Sequence, residues 1–142
     1  MNVASLISAY HNHSVVKRFV DKILPFGDVF IHVDAKCDIR KFHDILGDSV
    51  CFCSKRKYVS WGGRSQIDAC IELLQTARAK KNYDYYSIHS DTDYPVRKVS
   101  DYILYLEKHD GHNFIESFPV PEENIFRYEK YHLDDFFSQL KV

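Results

Sequence analysis

Asp91-Thr92-Asp93 sets two carboxylates two residues apart. At a strand end such a pair can hold Mg²⁺ or Mn²⁺ against a diphosphate, because hard cations take oxygen ligands. Asp is also favoured in turns, and Pro95 follows closely, so turn chemistry explains the same string. Asp34 closes the apolar run Val29-Phe30-Ile31-His32-Val33. A carboxylate there can accept hydrogen bonds from a ribose or a base edge. A helix cap or a solvated loop residue is the plainer alternative. Trp61-Gly62-Gly63 stands before a long helical pattern. Its glycines let main chain approach a ligand, or bring N–H groups to an anion at the helix start. A tight turn with Trp61 in the core accounts for the same residues. The stretch is neither a P-loop nor a G-x-G-x-x-G fingerprint. The eight histidines, His132 among them, show no metal-site spacing and no H-E-x-x-H. Cys51 and Cys53 share a strand face without a second pair, and no G-x-S-x-G elbow is present.

The elements that must position these residues follow from the apolar pattern. Residues 3–9 read as a buried strand. Ser14 is a candidate N-cap for a helix carrying Val15, Val16, Phe19, Val20, Ile23 and Leu24, ended by Pro25 and Gly27. A second strand runs from Val29 to Asp34. Asp38 then caps a short helix with Ile39, Phe42, Ile45 and Leu46 inward. Val50–Cys53 reads as a third strand. The longest helix covers about 64–80, with Ile67, Cys70, Ile71, Leu74 and Ala77 as its apolar stripe. Asp84–His89 reads as a fourth strand, about 100–108 as a helix with Tyr102, Ile103 and Leu106 inward, and Asn113–Glu116 as a fifth strand. The stretch from Ile125 to Phe137 is aromatic and charged, without a clear element. Such alternation predicts an α/β, Rossmann-type, mostly parallel sheet with helices on both faces. Ligands then bind beyond the carboxyl ends of the strands. Three polar stretches meet that condition: His11-Asn12-His13, His32 to Asp34, and Ser90 to Asp93.

Composition narrows the classes further. The 142 residues fit one domain, 1–142. Lys+Arg is 19 against Asp+Glu at 20, which disfavours a broad nucleic-acid surface. Mean hydropathy is −0.35, and no apolar run approaches the roughly 18 residues of a bilayer span. No charged leader precedes Val3, and four cysteines are too few for a disulfide scaffold. Both features read as a cytoplasmic protein with reduced thiols.

Four segments together carry a resemblance: Ala9-Tyr10-His11-Asn12, His32-Val33-Asp34, Ser60 to Ser65 around Trp61-Gly62-Gly63, and Ser87 to Pro95. In order and spacing they resemble the core-2/I-branching β-1,6-N-acetylglucosaminyltransferases and the related peptide O-xylosyltransferases. The resemblance runs from residue 3 to about 132 and covers about the N-terminal half of a family catalytic domain. It implies a GT-A-like fold and inverting transfer of a sugar from a UDP-sugar to a glycan or hydroxyl acceptor. It implies that Asp34 contacts the uridine, that His11 and Trp61-Gly62-Gly63 line the donor cleft, and that Asp93 is the motif Asp before Tyr94-Pro95. Glu116 and Arg127 resemble a family Glu and Arg that hold the acceptor sugar; a family Lys nearby is replaced by Asn124. The family works without a metal, and the position of Asp91 is usually a small residue there. No metal and no cofactor besides the UDP-sugar donor are therefore expected. The phosphate-neutralising basic residues and the general base belong to the family's C-terminal half, beyond Val142, and the family is often membrane-linked.

The expectation is thus a glycosyltransferase domain, incomplete and inactive by itself. A non-catalytic nucleotide-sugar binding module is the alternative. A flavodoxin- or receiver-like signalling domain is the third reading. Receiver domains carry acidic residues after the first strand, where this chain has His11-Asn12-His13.

Overall fold

In the computed structural model, residues 1–129 are described. Four strands form one parallel sheet: β1 (Val3–Ala9), β2 (Gly27–Val33), β3 (Val50–Phe52) and β4 (Tyr85–Ser90), in the order β3-β2-β1-β4. The helices are α1 (His13–Ile23), α2 (Arg64–Lys80), α3 (Val99–Lys108) and the short α4 (Phe126–Glu129). β1 pairs with β2 from Val3↔Gly27 to Ala9↔Val33, and with β4 from Val3↔Tyr85 to Ser8↔Ser90. β1 is therefore the point where the strand order reverses, and a crevice is expected outside the carboxyl ends of β1 and β4.

Strand alternation sends successive side chains to opposite faces. Ile7, Ala9, Val29, Ile31 and Val33 pack on one face against Val16, Phe19, Val20 and Ile23 of α1, with Phe42 and Ile45. Ala4, Leu6 and Phe30 pack on the other against Leu73 and Ala77 of α2. Helices thus cover both faces, as expected from a sheet whose inner strands are buried on both sides. Gly27 begins β2 where a Cβ would lie 2.3 Å from the Val3 carbonyl oxygen, so only glycine permits this pairing at the sheet's amino edge.

Five local expectations are corrected. Ser14 is not the cap of α1: the helix begins at His13 with Asn12 at the N-cap, and no side chain caps it. The Asn12 carbonyl takes the N–H groups of Val15 and Val16, and its own N–H is held from β4 by Asp91. The buried stripe of α2 is Ala69, Leu73 and Ala77, whereas Ile67 is 62% and Ile71 44% exposed. Two alanines let the helix axis approach the sheet more closely than a row of isoleucines would. The helix after Asp38 is a single 3₁₀ turn, Ile39–Phe42, capped by the Asp38 side chain, and Leu46 lies outside the core. Residues 113–116 form no strand. Phe114 is instead drawn into rings at the end of α3, 5.4 Å from Tyr105 and 6.0 Å from Tyr85. In α3, Leu106 is buried while Tyr102 is 39% exposed. The aromatic, charged stretch beyond Glu129, with His132 and Phe137, lies outside the described residues.

Candidate functional site

The carboxyl ends of β1, β2 and β4 are tied together by hydrogen bonds that run across the sheet. Asp91, just past β4, uses Oδ2 to accept from the main-chain N–H groups of Tyr10 (2.9 Å), His11 (2.9 Å) and Asn12 (3.1 Å). Burial raises the Asp91 pKa, and these N–H donors more than offset it, so the group titrates below its ordinary value. Both carboxylates of the D-x-D string accept hydrogen bonds from main-chain N–H groups. Asp93 accepts from the N–H and hydroxyl of Ser90, closing its own turn. It also lines a cavity of about 440 Å³ between α1 and α3, together with Phe19, His89, Tyr94 and Tyr102.

Asp34 follows β2 and is 5% exposed. Its N–H donates to the Ala9 carbonyl (2.9 Å), which places it beside the β1 turn. Its Oδ1 accepts from the Lys36 N–H at 2.8 Å, and its Oδ2 lies 3.5 Å from Lys36 Nζ. The Lys36 ammonium also donates to the Val59 carbonyl and stands over the rings of Tyr10 (4.9 Å) and Tyr58 (5.2 Å). Arg56 donates to the carbonyls of Val33, Asp34 and Cys37. Arg56 and Lys36 thus fasten the 56–59 segment onto the end of β2.

That segment leads to Trp61-Gly62-Gly63. Gly62 has φ of +72°, a conformation that favours glycine, and Gly63 is the N-cap of α2. The Gly63 N–H donates to the Ser60 carbonyl, and the Ser60 N–H to Ser65 Oγ. The turn throws Trp61 outward: it is 88% exposed and belongs to no core. His11 is exposed as well, its ring 3.4 Å from that of Tyr10.

Among the expected site residues the structure therefore gathers His11 and Asp34, with Trp61-Gly62-Gly63 on the adjoining loop. Asp93 sits past β4, next to Asp91. Glu116 is exposed and outside any regular element, with no described contact to this cluster. Arg127 falls within α4, and its side chain is not described. His32 belongs to the polar stretch His32 to Asp34 marked from sequence, but with no role of its own, because it sits inside an apolar run. Lys36 and Arg56 were not singled out, because they sit in segments where basic residues are usually solvated.

Comparison with known proteins gives the family. The family model Core-2/I-Branching enzyme matches residues 6–142. Xylosyltransferase sqv-6 of Caenorhabditis elegans is 29% identical over 115 residues, covering 75% of this chain and 14% of the relative. Its counterpart in Caenorhabditis briggsae is 26% identical over the same shares. The chain thus spans about a seventh of the length of these relatives. With the match running over nearly all of its length, the chain belongs to the Core-2/I-Branching enzyme family.

Proposed function

We propose that this chain carries the donor-nucleotide side of an inverting, UDP-sugar-dependent glycosyltransferase. The observation that carries the reading is Asp34: a buried carboxylate ending the strand next to β1, at the switch-point edge of a parallel sheet. Doubly wound sheets place a ribose-binding acid at that position. His11 and the Trp61-Gly62-Gly63 turn border the same edge and supply ring faces and main-chain N–H groups. The xylosyltransferase relatives favour a xylose-type donor over N-acetylglucosamine, with a hydroxyl or glycan as acceptor.

Donor binding without a metal is part of the proposal. It is supported by the use of Asp91 Oδ2 as a main-chain anchor. Transfer needs a general base near the acceptor hydroxyl and positive charge on the leaving diphosphate. Glu116 and Arg127 are assigned to acceptor binding, and the base is assigned to sequence outside these 142 residues.

Calorimetry with UDP, UDP-xylose and UDP-N-acetylglucosamine tests the reading. Weak binding by the wild type, lost in Asp34→Asn, is expected; Asn keeps the turn and removes the charge. Unchanged affinity in Asp34→Asn removes Asp34 from the site. A gain of about tenfold with Mn²⁺, abolished by Asp91→Asn, overturns the metal-free part. Acceptor-dependent turnover by the 142-residue chain, lost in Glu116→Gln, would make Glu116 the base.

A further inference from the structure

His32, the last residue but one of β2, is fully buried, with 0% exposure. An apolar residue would fill this place without burying polar nitrogens. Its Nε2 accepts from the main-chain N–H of Lys57 at 2.8 Å. Its Nδ1 has no hydrogen-bond partner among the described residues. The Lys57 carbonyl in turn accepts from the Ala35 N–H at 2.9 Å, so the peptide groups flanking Lys57 are clamped on both sides, to β2 and to the residues just past its end. Four residues further on is Trp61.

We propose that His32 is a positioning residue for the donor site: through Nε2 it holds the Lys57 main chain and thereby orders the loop that presents Trp61-Gly62-Gly63. This rests on the donor-site reading above. The geometry requires one tautomer, with the proton on Nδ1 and the lone pair on Nε2. A protonated ring carries N–H on both nitrogens and cannot accept from Lys57. Burial lowers the His32 pKa, while Asp34 opposes that shift. The charged groups facing the ring are Asp34 past β2, Arg56 in the loop and Glu72 on α2; the two carboxylates favour the cation and Arg56 disfavours it. The clamp therefore holds at neutral pH and releases on acidification below the ordinary histidine value of about 6.5.

Trp61 is the single tryptophan, so its fluorescence anisotropy reads the order of this loop directly. In His32→Gln, the Oε1 oxygen stands close to the place of Nε2 and does not titrate; in His32→Leu the acceptor is gone. Expected results are near wild-type anisotropy and UDP affinity for the Gln variant, and reduced anisotropy with about tenfold weaker UDP binding for the Leu variant. Between pH 7.5 and 5, on the order of the histidine range, the wild type loses anisotropy and the Gln variant does not. Should His32→Leu fail to fold, the pH comparison of wild type and Gln variant decides. An equal acid-induced loss in the Gln variant overturns the proposal, as does wild-type anisotropy and affinity in a folded Leu variant. A wild type that binds no UDP removes the donor reading, while Trp61 anisotropy still decides the role of His32.

Discussion

Asp34 and Asp91 are both carboxylates just past strand ends, and their surroundings give them different work. Asp91 spends one oxygen on three main-chain donors from the β1–α1 turn. Removing it leaves those N–H groups to partly exposed solvent, so Asp91→Ala is expected to cost about 1–2 kcal/mol in chemical denaturation. Its folded pKa is lowered, so its contribution is complete above the unfolded value of about 3.9 and is lost as pH falls through the folded one. A denaturation series from pH 6 down to 3, on the order of the carboxylate range, checks the sign: the wild type loses more stability over that range than Asp91→Ala. The sequence held both possibilities for the D-x-D string. The partners of Asp91, some 80 residues away, could not be read from the string itself. His32 was harder still, because a polar residue within an apolar strand gives no sign of which main-chain group it will meet.

At the scale of elements, the strands were legible because their apolar runs are short, β-branched and bounded by turn residues. The face of α2 was not. The helix has two apolar stripes, one of Ile67, Cys70, Ile71 and Leu74, the other of Ala69, Leu73 and Ala77. Hydrophobicity selects the larger side chains, whereas close approach to a sheet selects the smaller ones. The distinction is measurable. Ala69→Leu forces extra volume into a fully buried place and is expected to cost about 1–3 kcal/mol; Ile67→Ser is expected to stay within about 0.5 kcal/mol. Equal costs at the two positions would put the wrong stripe against β1 and β2. The missing fifth strand has a similar cause. The Asn113–Glu116 pattern suits a strand, but the ring cluster of Tyr85, Tyr105 and His109 takes Phe114.

Across the whole molecule, the two ends of β2 carry carboxylates in different surroundings. At the amino end Asp28 is buried and meets Lys80 (3.0 Å), Lys81 (2.9 Å) and the Tyr83 hydroxyl (2.7 Å). Burial pushes the Asp28 pKa up, and hydrogen bonds from Tyr83, Lys81, Lys80 and Ser49 reverse this and carry it far below the usual carboxylate range. Tyr83 also rests edge-on against Phe30, so the polar cluster is continuous with the core. The carboxyl end carries Asp34, the proposed donor contact. Six residue steps of extended chain separate the two carboxylates by roughly 20 Å, with no partner in common. Asp28→Ala leaves the buried Tyr83 hydroxyl without its acceptor and is expected to cost about 2 kcal/mol, while UDP affinity stays unchanged. Asp34→Asn should show the reverse: lost UDP binding with little loss of stability. In the double variant the stability changes should add to within about 0.5 kcal/mol, as they do for distant, independent sites. A larger coupling would mean that β2 transmits strain from one edge of the sheet to the other. The separation of a structural amino edge from a functional carboxyl edge would then be wrong for this domain.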